Sequence, residues 1–489
     1  MSKYPSLIFI NAPDGNGGLS DDIFSDILLD RLFSKELTAL MKPACTADDI
    51  SARQKVCAEI LSPDVLKTFR ELHSLISKAE ELYNAYAAAD TDGCAAFIFV
   101  SMKKYIFDFA KAASSAFAQA SFLPQRFTRY FASVCEKDGF KAERAENEEL
   151  YASLLKAREA VLTVSKDKMT VRTGKEETYL ERIKKAAAAL SLWDITYPEN
   201  APRRLSSSIN ETALALHPDA VAKAKVYRKK YSDLFDRSVF AYRSELALYI
   251  RIAGICRKLD SAGIPRCFPD ITEEDRIVFR NAYDITLLTK DDSEIIPNDV
   301  VFDRSEPFFF LTGANGGGKT TYLRAVGVNA LLGSRGFPMA CRSARTPNLV
   351  NIFTHFPKDE RFDNESRFID EVRRVDEIAA KAGKNTIYLL NETYSSTSEE
   401  KAAELTLKLA RRLKAAGAFG VFVIHRKGLD QSSVPDIPFL TAEIDENDGN
   451  ARTYKIVRAD GSRGSYAGDI LKKYGLDRDS LRERFGVGI

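Results

Sequence analysis

The feature that most limits the possible folds of this chain is a glycine-rich segment at residues 313–320. It reads Gly-Ala-Asn-Gly-Gly-Gly-Lys-Thr, a complete match to the pattern GxxxxGK[ST]. An apolar run, Phe308 to Leu311, precedes it, and a helix-like stretch, Thr320 to Leu332, follows it. Glycines allow backbone amides to face phosphate oxygens because no Cβ intervenes, and the N-terminus of the following helix adds partial positive charge. The segment therefore predicts a strand, a phosphate-binding loop and a helix rather than a plain glycine-rich turn.

Short apolar segments alternate with helix-like segments after Pro269, which is typical of a sheet with crossover helices. The candidate strands are Phe308 to Thr312, Thr386 to Leu390 and Gly420 to Ile424. Two more, Thr441 to Asp445 and Thr453 to Val457, flank the turn signal Asn447-Asp448-Gly449 and predict an antiparallel hairpin. The C-terminal part is therefore predicted to be an α/β domain.

The first half of the chain has the apolar spacing of helices. Segments such as Asp64 to Tyr86 and Phe107 to Phe122 show it clearly, and a ladder of apolar residues predicts one long helix from 218 to 259. Gly263 and Pro265 end that ladder and mark a domain boundary. Within the helical part, residues 160–173 hold two β-branched stretches around Lys-Asp-Lys, which predicts a small hairpin.

Bulk composition is that of a globular protein of more than one domain. Hydrophobic residues make up 45% and charged residues 29% of the 489 residues. We find neither an apolar stretch that could span a bilayer nor a secretory signal, so we expect a cytoplasmic protein without membrane contact. The seven cysteines are scattered without a CxxC pair, which favours reduced, packed thiols over disulfides or a zinc site.

A formal net charge of +2 does not indicate a globally basic nucleic-acid-binding protein, so any DNA contact requires a local patch. The densest basic cluster comprises Lys223, Lys225, Arg228, Lys229 and Lys230. Such a run on a helix is either a solvated face or a surface that contacts phosphates.

The residues after the second candidate strand indicate hydrolysis. Asn391 and Glu392 stand where such folds place a metal-organising acid and a general base, so we expect Glu392 to activate water. An ordinary exposed glutamate after a strand is the alternative interpretation. In the loop, Lys319 is expected to pair with β- and γ-phosphates and Thr320 to give its hydroxyl to Mg²⁺.

Several blocks together resemble the MutS family of DNA mismatch-repair ATPases. TGANGGGKTTYLRAV at 312–326 looks like the phosphate loop of that family, TGPNMGGKST. Further blocks follow in the family's order: Ile296 to Asp299, Asn351 to Thr354, Ser366 to Glu371 (the STFMVE signature), Thr397-Ser398, Val423 to His425 (the ATH block) and Ser465 to Gly468. The resemblance is close over about 270–480 and faint in the helical half, where Ala47 to Leu61 looks like the start of the family's core domain.

The resemblance implies an ATPase with ATP and Mg²⁺ as ligands. The nucleotide-binding residues would be Gly313, Ala314, Asn315, Gly316, Gly317, Gly318, Lys319, Thr320 and Thr321. Ser366 would open a helix aimed at the γ-phosphate bound by the other subunit of a dimer, in trans; the alternative is that it caps its own helix. His425 would sense the γ-phosphate, although a lone histidine is often structural.

Departures from the family pattern qualify these implications. Asn391 replaces the usual Asp, keeps a carbonyl acceptor for a water on Mg²⁺ and loses the charge, so we expect slow turnover. Tyr394-Ser395-Ser396 replaces a GRG segment, and Ile295 stands where an aromatic residue usually stacks on adenine. We see no room for a mismatch-reading domain before about Asp22, and the DNA clamp is reduced to the hairpin at 160–173.

The sequence thus predicts an α/β P-loop ATPase domain of the ABC-like type, residues 266–489, joined to an all-α core and lever domain, residues 23–265, after an extension at 1–22. We expect a homodimer that switches conformation on branched, damaged or plain duplex DNA, in repair or recombination. The rival hypothesis is a nucleotide-gated scaffold that binds a protein partner with little or no hydrolysis. A generic ABC transporter ATPase is disfavoured because no LSGGQ-type signature follows the loop.

Overall fold

The computed structural model describes residues 4–11, 18–158, 160–165, 168–173, 214–232, 236–289, 295–357, 364–394, 397–424, 429, 433–445 and 451–459. The chain divides into two compact units, each of which combines distant stretches of sequence. Unit 1 comprises residues 1–7 and 64–246, and unit 2 comprises residues 8–63 and 247–489. The domain limits predicted at 22 and 265 stay predictions, and the compact units divide at other positions.

Helices make up most of the described part of unit 1, together with one hairpin. The helices are α4 (Pro63–Ala87), α5 (Asp92–Ala116), α6 (Phe122–Glu136), α7 (Asp138–Arg158), α8 (Pro218–Tyr231) and the start of α9 (Ala241–Ser261). The strands β1 (Ala160–Ser165) and β2 (Lys168–Thr173) pair antiparallel, which confirms the predicted hairpin. Aromatic rings of Phe109, Phe127, Phe131 and Tyr242 pack within 6.1 Å of one another in the core of this unit.

The prediction of one long helix from 218 to 259 is wrong. Helix α8 ends at Tyr231, a 3-10 turn covers Arg237–Phe240, and α9 begins at Ala241. Asp236 accepts hydrogen bonds from the Ser238 backbone NH at 2.9 Å and from its hydroxyl at 2.7 Å, so it starts a new helical segment. Leu234 and Val239 are five residues apart, whereas residues on one face of a helix recur every three or four residues. Similarly, the stretch 107–122 is the end of α5 and the beginning of α6, not one helix.

Unit 2 begins with three short helices, α1 (Asp21–Asp26), α2 (Lys35–Met41) and α3 (Ala47–Glu59). Two buried arginines fasten them to the C-terminal part of the same unit. Arg335 donates to the Met41 carbonyl at 2.7 Å, and Arg53 donates to the carbonyls of Ile8 at 2.7 Å and Arg335 at 3.0 Å. Residues 8–63 are therefore part of the compact unit that contains the glycine-rich loop.

The main sheet of unit 2 has six strands in the order β12-β11-β6-β10-β9-β8. These are β6 (Phe308–Thr312), β8 (Asn351–His355), β9 (Thr386–Asn391), β10 (Phe419–Val423), β11 (Phe439–Asp445) and β12 (Ala451–Arg458). All neighbours pair parallel except β11 with β12, and the predicted strands and the antiparallel C-terminal pair are confirmed. Every residue of β9 and β10 is buried, as expected for parallel strands covered on both faces.

The remaining elements of unit 2 surround this sheet. They are the helices α10 (Lys319–Ser334), α11 (Asn364–Ala379) and α12 (Glu399–Ala415), and a second sheet of order β3-β7-β4-β5. Its strands are β3 (Asp270–Ile271), β4 (Ile277–Ala282), β5 (Asn298–Phe302) and β7 (Ser343–Thr346). Because β6, β9 and β10 are parallel neighbours, their carboxyl ends lie along one edge of the sheet. No helix in the described ranges is both long and apolar enough to cross a membrane.

Candidate functional site

The glycine-rich segment connects β6 directly to α10. Gly313, Gly316 and Gly318 have φ angles of 115°, 75° and 90°, a backbone region that favours glycine. The Gly317 NH donates to the Ala314 carbonyl at 3.1 Å, which closes the turn, and α10 begins at Lys319. The sequence therefore folds here as a glycine loop at a helix N-terminus, the arrangement typical of phosphate-binding loops.

The loop packs closely against the β11–β12 hairpin. A Cβ atom added to Gly313 would lie 2.8 Å from the backbone nitrogen of Ala442, and one added to Gly317 would lie 2.8 Å from the Ala442 Cβ. On the neighbouring strand, Tyr454 lies against Gly318 and has a φ angle of 56°. The loop thus has no space for side chains at Gly313 and Gly317, and strands β11 and β12 pack against it.

Lys319 folds back onto its own loop. Its Nζ atom donates to the carbonyl oxygens of Gly313 at 2.8 Å and Ala314 at 2.9 Å, and the residue is buried. Burial lowers the pKa of Lys319 to about 8, the charge of Glu392 opposes this shift, and the charge of Arg452 adds to it. The ammonium group is therefore only partly compensated within the chain, and a phosphate anion would stabilise it.

Asn391 and Glu392 lie at the carboxyl end of β9, separated from β6 by β10 alone. The backbone NH of Glu392 donates to the Val423 carbonyl at 3.1 Å, which fixes the start of this segment against β10. The φ angle of Glu392 is 49°, which is uncommon for a residue with a side chain and is often found at functional sites. The structure thus brings Glu392 to the same edge of the sheet as the glycine loop.

The donor set at this edge is compatible with Mg²⁺. The side-chain oxygen of Asn391 is buried and has no hydrogen-bond partner among the described residues, and Thr320 is the second residue of α10. Amide and hydroxyl oxygens, together with phosphates and water, suit a hard cation of this kind. Thr320 and Asn391 are the residues that would hold the ion, the latter through water.

Helix α11 is linked to the segment that follows Glu392. The Glu371 carboxylate on α11 accepts a hydrogen bond of 2.7 Å from the backbone NH of Tyr394, which has a φ angle of 62°. Ser366 is the third residue of α11 and lies in its first turn, whereas the sequence predicted that it opens the helix, which begins at Asn364. Glu371 was part of a matched block but no role was predicted for it. The hydrogen bond between Glu371 and Tyr394 joins segments that are distant in sequence, so no local sequence pattern predicts it.

Ile295 is partly buried and lies just ahead of β5. The residues after it are fastened to β12: Lys455 donates to the Pro297 carbonyl at 2.5 Å, and the side chain of Asn298 bonds the backbone of Tyr454 at 3.1 Å and of Ile456 at 2.7 Å. This places the 295–298 segment close to the strand that covers the loop. His425, Ser395, Ser396 and the block at 465–468 lie outside the described residues.

The basic cluster lies on α8 in unit 1, and part of its charge is neutralised. Lys225 and Arg228 pair with Asp92, the former at 3.3 Å, and Lys230 pairs with Glu146 at 2.9 Å. Lys223 and Lys229 are exposed. A cleft of about 450 Å³ is lined by Tyr86, Asp92, Lys225, Val226, Arg228, Lys229 and Ser232. The cluster therefore keeps an excess of positive charge beside a concave surface.

A strand, a glycine loop and a helix N-terminus, with a glutamate at the end of a nearby parallel strand, define the class of phosphate-binding α/β folds. Residues 309–480 match the family described as MutS domain V. Over this part of its sequence the chain is similar to the MutS family.

Known relatives match mainly in this C-terminal part. A DNA mismatch repair protein MutS of Aquifex pyrophilus is 28% identical over 198 residues, 38% of this chain and 22% of that protein. The MutS of Oceanobacillus iheyensis is 24% identical over 267 residues, 52% of this chain and 31% of the relative. The mitochondrial DNA mismatch repair protein MSH1 of Arabidopsis thaliana is 30% identical over 177 residues, 36% of this chain and 15% of the relative. The chain thus spans less than a third of the length of these relatives.

Proposed function

We propose that this protein binds and hydrolyses ATP with Mg²⁺ and uses the bound nucleotide to switch its conformation on DNA, in repair or recombination. The observation that carries the proposal is the loop at 313–318 with Lys319 at the start of α10. Its glycine conformations, its position after β6 and the incompletely compensated charge of Lys319 all suit a triphosphate. The match of residues 309–480 to MutS domain V supports the same activity.

In this proposal the chain's own groups bind and orient the reactants. Backbone amides of 313–320 and the Lys319 ammonium hold the β- and γ-phosphates, and Thr320 and Asn391 hold the ion. When bound, Mg²⁺ would neutralise part of the charge on the phosphate oxygens. The Glu392 carboxylate takes the proton from the water that attacks the γ-phosphate.

Asn391 makes this hydrolysis slow. An amide offers a carbonyl acceptor to a metal-bound water but no negative charge, and hydrogen bonds to charged groups are worth about 1.5–3 kcal/mol. The affinity for Mg²⁺ is therefore expected to be roughly 10- to 100-fold below that of a site with an aspartate here.

The test of the nucleotide site is ATP turnover of the wild type beside Lys319→Ala, each with and without branched DNA. We expect the wild type to bind ATP and to turn it over slowly, and Lys319→Ala to lose binding by at least tenfold. A wild-type protein that shows no nucleotide binding by calorimetry would end the proposal.

The protein is proposed to act as a dimer in which Ser366 on α11 of one subunit completes the site of the other. Helix N-termini favour anions, and Ser366 lies in the first turn. A mixing experiment tests this: Lys319→Ala and Ser366→Ala proteins are each inactive alone, but a mixed dimer has one intact composite site. Recovery of turnover on mixing supports the arrangement. Failure to recover turnover in a verified mixed dimer contradicts it.

DNA binding is assigned to the basic cluster on α8. Lys223 and Lys229 are the best targets because they are exposed and have no carboxylate partner in the described part of the chain. The double variant Lys223→Gln with Lys229→Gln should weaken binding to duplex, forked and mismatched DNA and reduce its salt dependence by about two phosphate contacts. The matched control neutralises Lys381 and Lys408, two exposed lysines of unit 2 without a carboxylate partner in the described part of the chain. Equal effects of both double variants would show that the cluster has no special role.

A nucleotide-gated scaffold for a protein partner is the second candidate, and Asn391 favours it because it weakens hydrolysis. The two functions differ in their response to DNA. ATP turnover that rises with DNA, and no longer rises after neutralisation of the cluster on α8, supports the DNA switch. Turnover that is indifferent to DNA, together with no DNA binding at low salt, supports the scaffold.

A further inference from the structure

Arg452 belongs to the part of the β11–β12 hairpin that covers the glycine loop. It is the register partner of Ile444, next to the irregularity that follows Ala442, and Ala442 is the residue packed against Gly313 and Gly317. Two residues further along β12, Tyr454 lies against Gly318. The hairpin thus carries Arg452 to the wall of the candidate nucleotide site.

The guanidinium group of Arg452 is incompletely satisfied. Its Nη1 atom is shielded from solvent and has no hydrogen-bond partner within the described residues, and it forms no ion pair there. A shielded N–H group of a cation is costly without a partner, and an anion bound at the glycine loop would supply one.

We propose that Arg452 is a second phosphate-binding residue, which contacts the phosphate chain of the nucleotide beside Lys319. This inference rests on the proposed ATP binding and names a residue that neither the loop pattern nor the family blocks include. Because the hairpin that carries Arg452 packs against the loop through Ala442 and Tyr454, Arg452 and Lys319 are expected to act on the same ligand.

The test measures the affinities of the full-length protein for adenosine, ADP and ATP. Arg452→Met removes the charge and keeps much of the side-chain length, whereas Arg452→Lys keeps a charge. The matched control is Arg458→Met on the same strand, because Arg458 is exposed and paired with Glu306. We expect Arg452→Met to weaken ATP binding by about 10- to 100-fold, ADP binding less and adenosine binding not at all, with Arg458→Met unchanged.

A second measurement does not depend on nucleotide. Binding of inorganic pyrophosphate, measured by calorimetry, should weaken in Arg452→Met and stay unchanged in Arg458→Met. Thermal unfolding confirms that the variant is folded. If the wild type binds ATP and Arg452→Met binds it equally well, the inference is wrong while ATP binding stands; if the wild type binds no nucleotide, the proposed function itself fails.

An independent observation concerns two thiols in unit 2. The Sγ atoms of Cys267 and Cys341 lie 3.4 Å apart, and the backbone of Cys267 exchanges hydrogen bonds of 3.0 and 2.8 Å with Met339. Cys267 is partly exposed and Cys341 is buried. We infer that this pair is a modification site, at which a disulfide oxidant such as glutathione disulfide forms an intramolecular disulfide.

The reaction proceeds by two exchanges. The Cys267 thiolate attacks one sulfur of glutathione disulfide and releases one glutathione thiolate. The Cys341 sulfur then attacks the mixed disulfide at Cys267, and its proton passes to the departing glutathione sulfur, which is released as the second thiol. Two protein thiols are oxidised and one glutathione disulfide is reduced to two thiols. The hydrogen bond from the Cys341 thiol lowers the pKa of Cys267, which favours Cys267 as the attacking group.

Peptide mapping by mass spectrometry after treatment with glutathione disulfide tests this site. The wild type should yield one linked peptide pair containing Cys267 and Cys341, Cys341→Ser should retain glutathione on Cys267, and Cys267→Ser should yield neither. The buried thiols of Cys57 and Cys256 serve as internal references and should stay reduced. Unmodified Cys267 and Cys341 under conditions that oxidise the denatured chain would refute the inference.

Discussion

The ammonium group of Lys319 donates a hydrogen bond of 2.8 Å to the carbonyl oxygen of Gly313, at the opposite end of the same loop. The lysine therefore links the end of the loop back to its beginning. Its pKa of about 8 shows that two carbonyl oxygens and Glu392 do not fully compensate for its burial. If the protein binds ATP as proposed, the charge of Lys319 is the quantity on which its affinity depends.

The first prediction concerns pH. Because nucleotide binding requires charged Lys319 and the free protein loses that proton above about pH 8, ATP affinity should fall by up to tenfold per pH unit above this value. Isothermal calorimetry between pH 7 and 10 measures it, with proton uptake on binding above pH 8 as a second signal. A flat profile across this range would contradict the assigned role.

The same pKa has an opposite effect on stability. The unfolded chain, with a lysine pKa near 10.4, binds more protons than the folded chain between pH 8 and 10.4, so stability rises with pH in that window. Relative to Lys319→Met, the free energy of unfolding of the nucleotide-free wild type should rise by about 1–3 kcal/mol from pH 7 to 10. Denaturant unfolding at both pH values measures this difference.

Gly317→Ala should disturb the loop by overpacking. Its Cβ would lie 2.8 Å from the Ala442 Cβ and 3.0 Å from the Ala314 carbonyl oxygen, so the loop or β11 must shift, at about 1–3 kcal/mol. ATP binding should weaken as well. The control Gly254→Ala, in the middle of α9 with no atom near the added methyl group, should be stabilised by about 0.5–1 kcal/mol. Equal unfolding midpoints of the two variants would contradict the packing argument.

Glu392→Gln should separate binding from hydrolysis. The amide has nearly the same shape but cannot accept a proton from water, so ATP affinity should stay within about twofold while turnover falls by about 10²- to 10⁴-fold. Single-turnover measurements at saturating ATP make the comparison. Turnover equal to that of the wild type would assign the base to another residue.

Asn391→Asp should restore a charge that this chain lacks. Without nucleotide, a carboxylate at this buried position should lower the free energy of unfolding by about 1–3 kcal/mol. With ATP, we expect the apparent Mg²⁺ affinity to rise roughly 10- to 100-fold and turnover to increase. Titration of ATP turnover against Mg²⁺ measures both the apparent Mg²⁺ affinity and the maximal turnover. A variant that needs as much Mg²⁺ as the wild type would show that Asn391 does not face the ion.

The strand, loop and helix around Lys319 could be predicted because their signals are local: an apolar run, glycines at fixed spacing and a helical pattern. The positions of Arg452 and Glu371 could not, because each depends on pairing or packing between distant segments. Residues 8–63 pack with the C-terminal part of the chain because Arg53 and Arg335 donate hydrogen bonds to backbone carbonyls. The sequence around a buried arginine does not indicate which carbonyl it will contact. The long helix from 218 to 259 was overpredicted because apolar spacing alone does not reveal a new helix start at Asp236.

The composition of unit 2 from two separated stretches has a consequence for biosynthesis. During translation, residues 8–63 leave the ribosome well before their partners at 247–489, with the whole of 64–246 made in between. At about 5–20 residues per second, this delay is roughly 10–40 s. For that interval the backbone carbonyls awaiting Arg335 and the apolar faces of the early helices are solvated, so nascent chains of this protein are expected to depend on chaperones at the amino-terminal end.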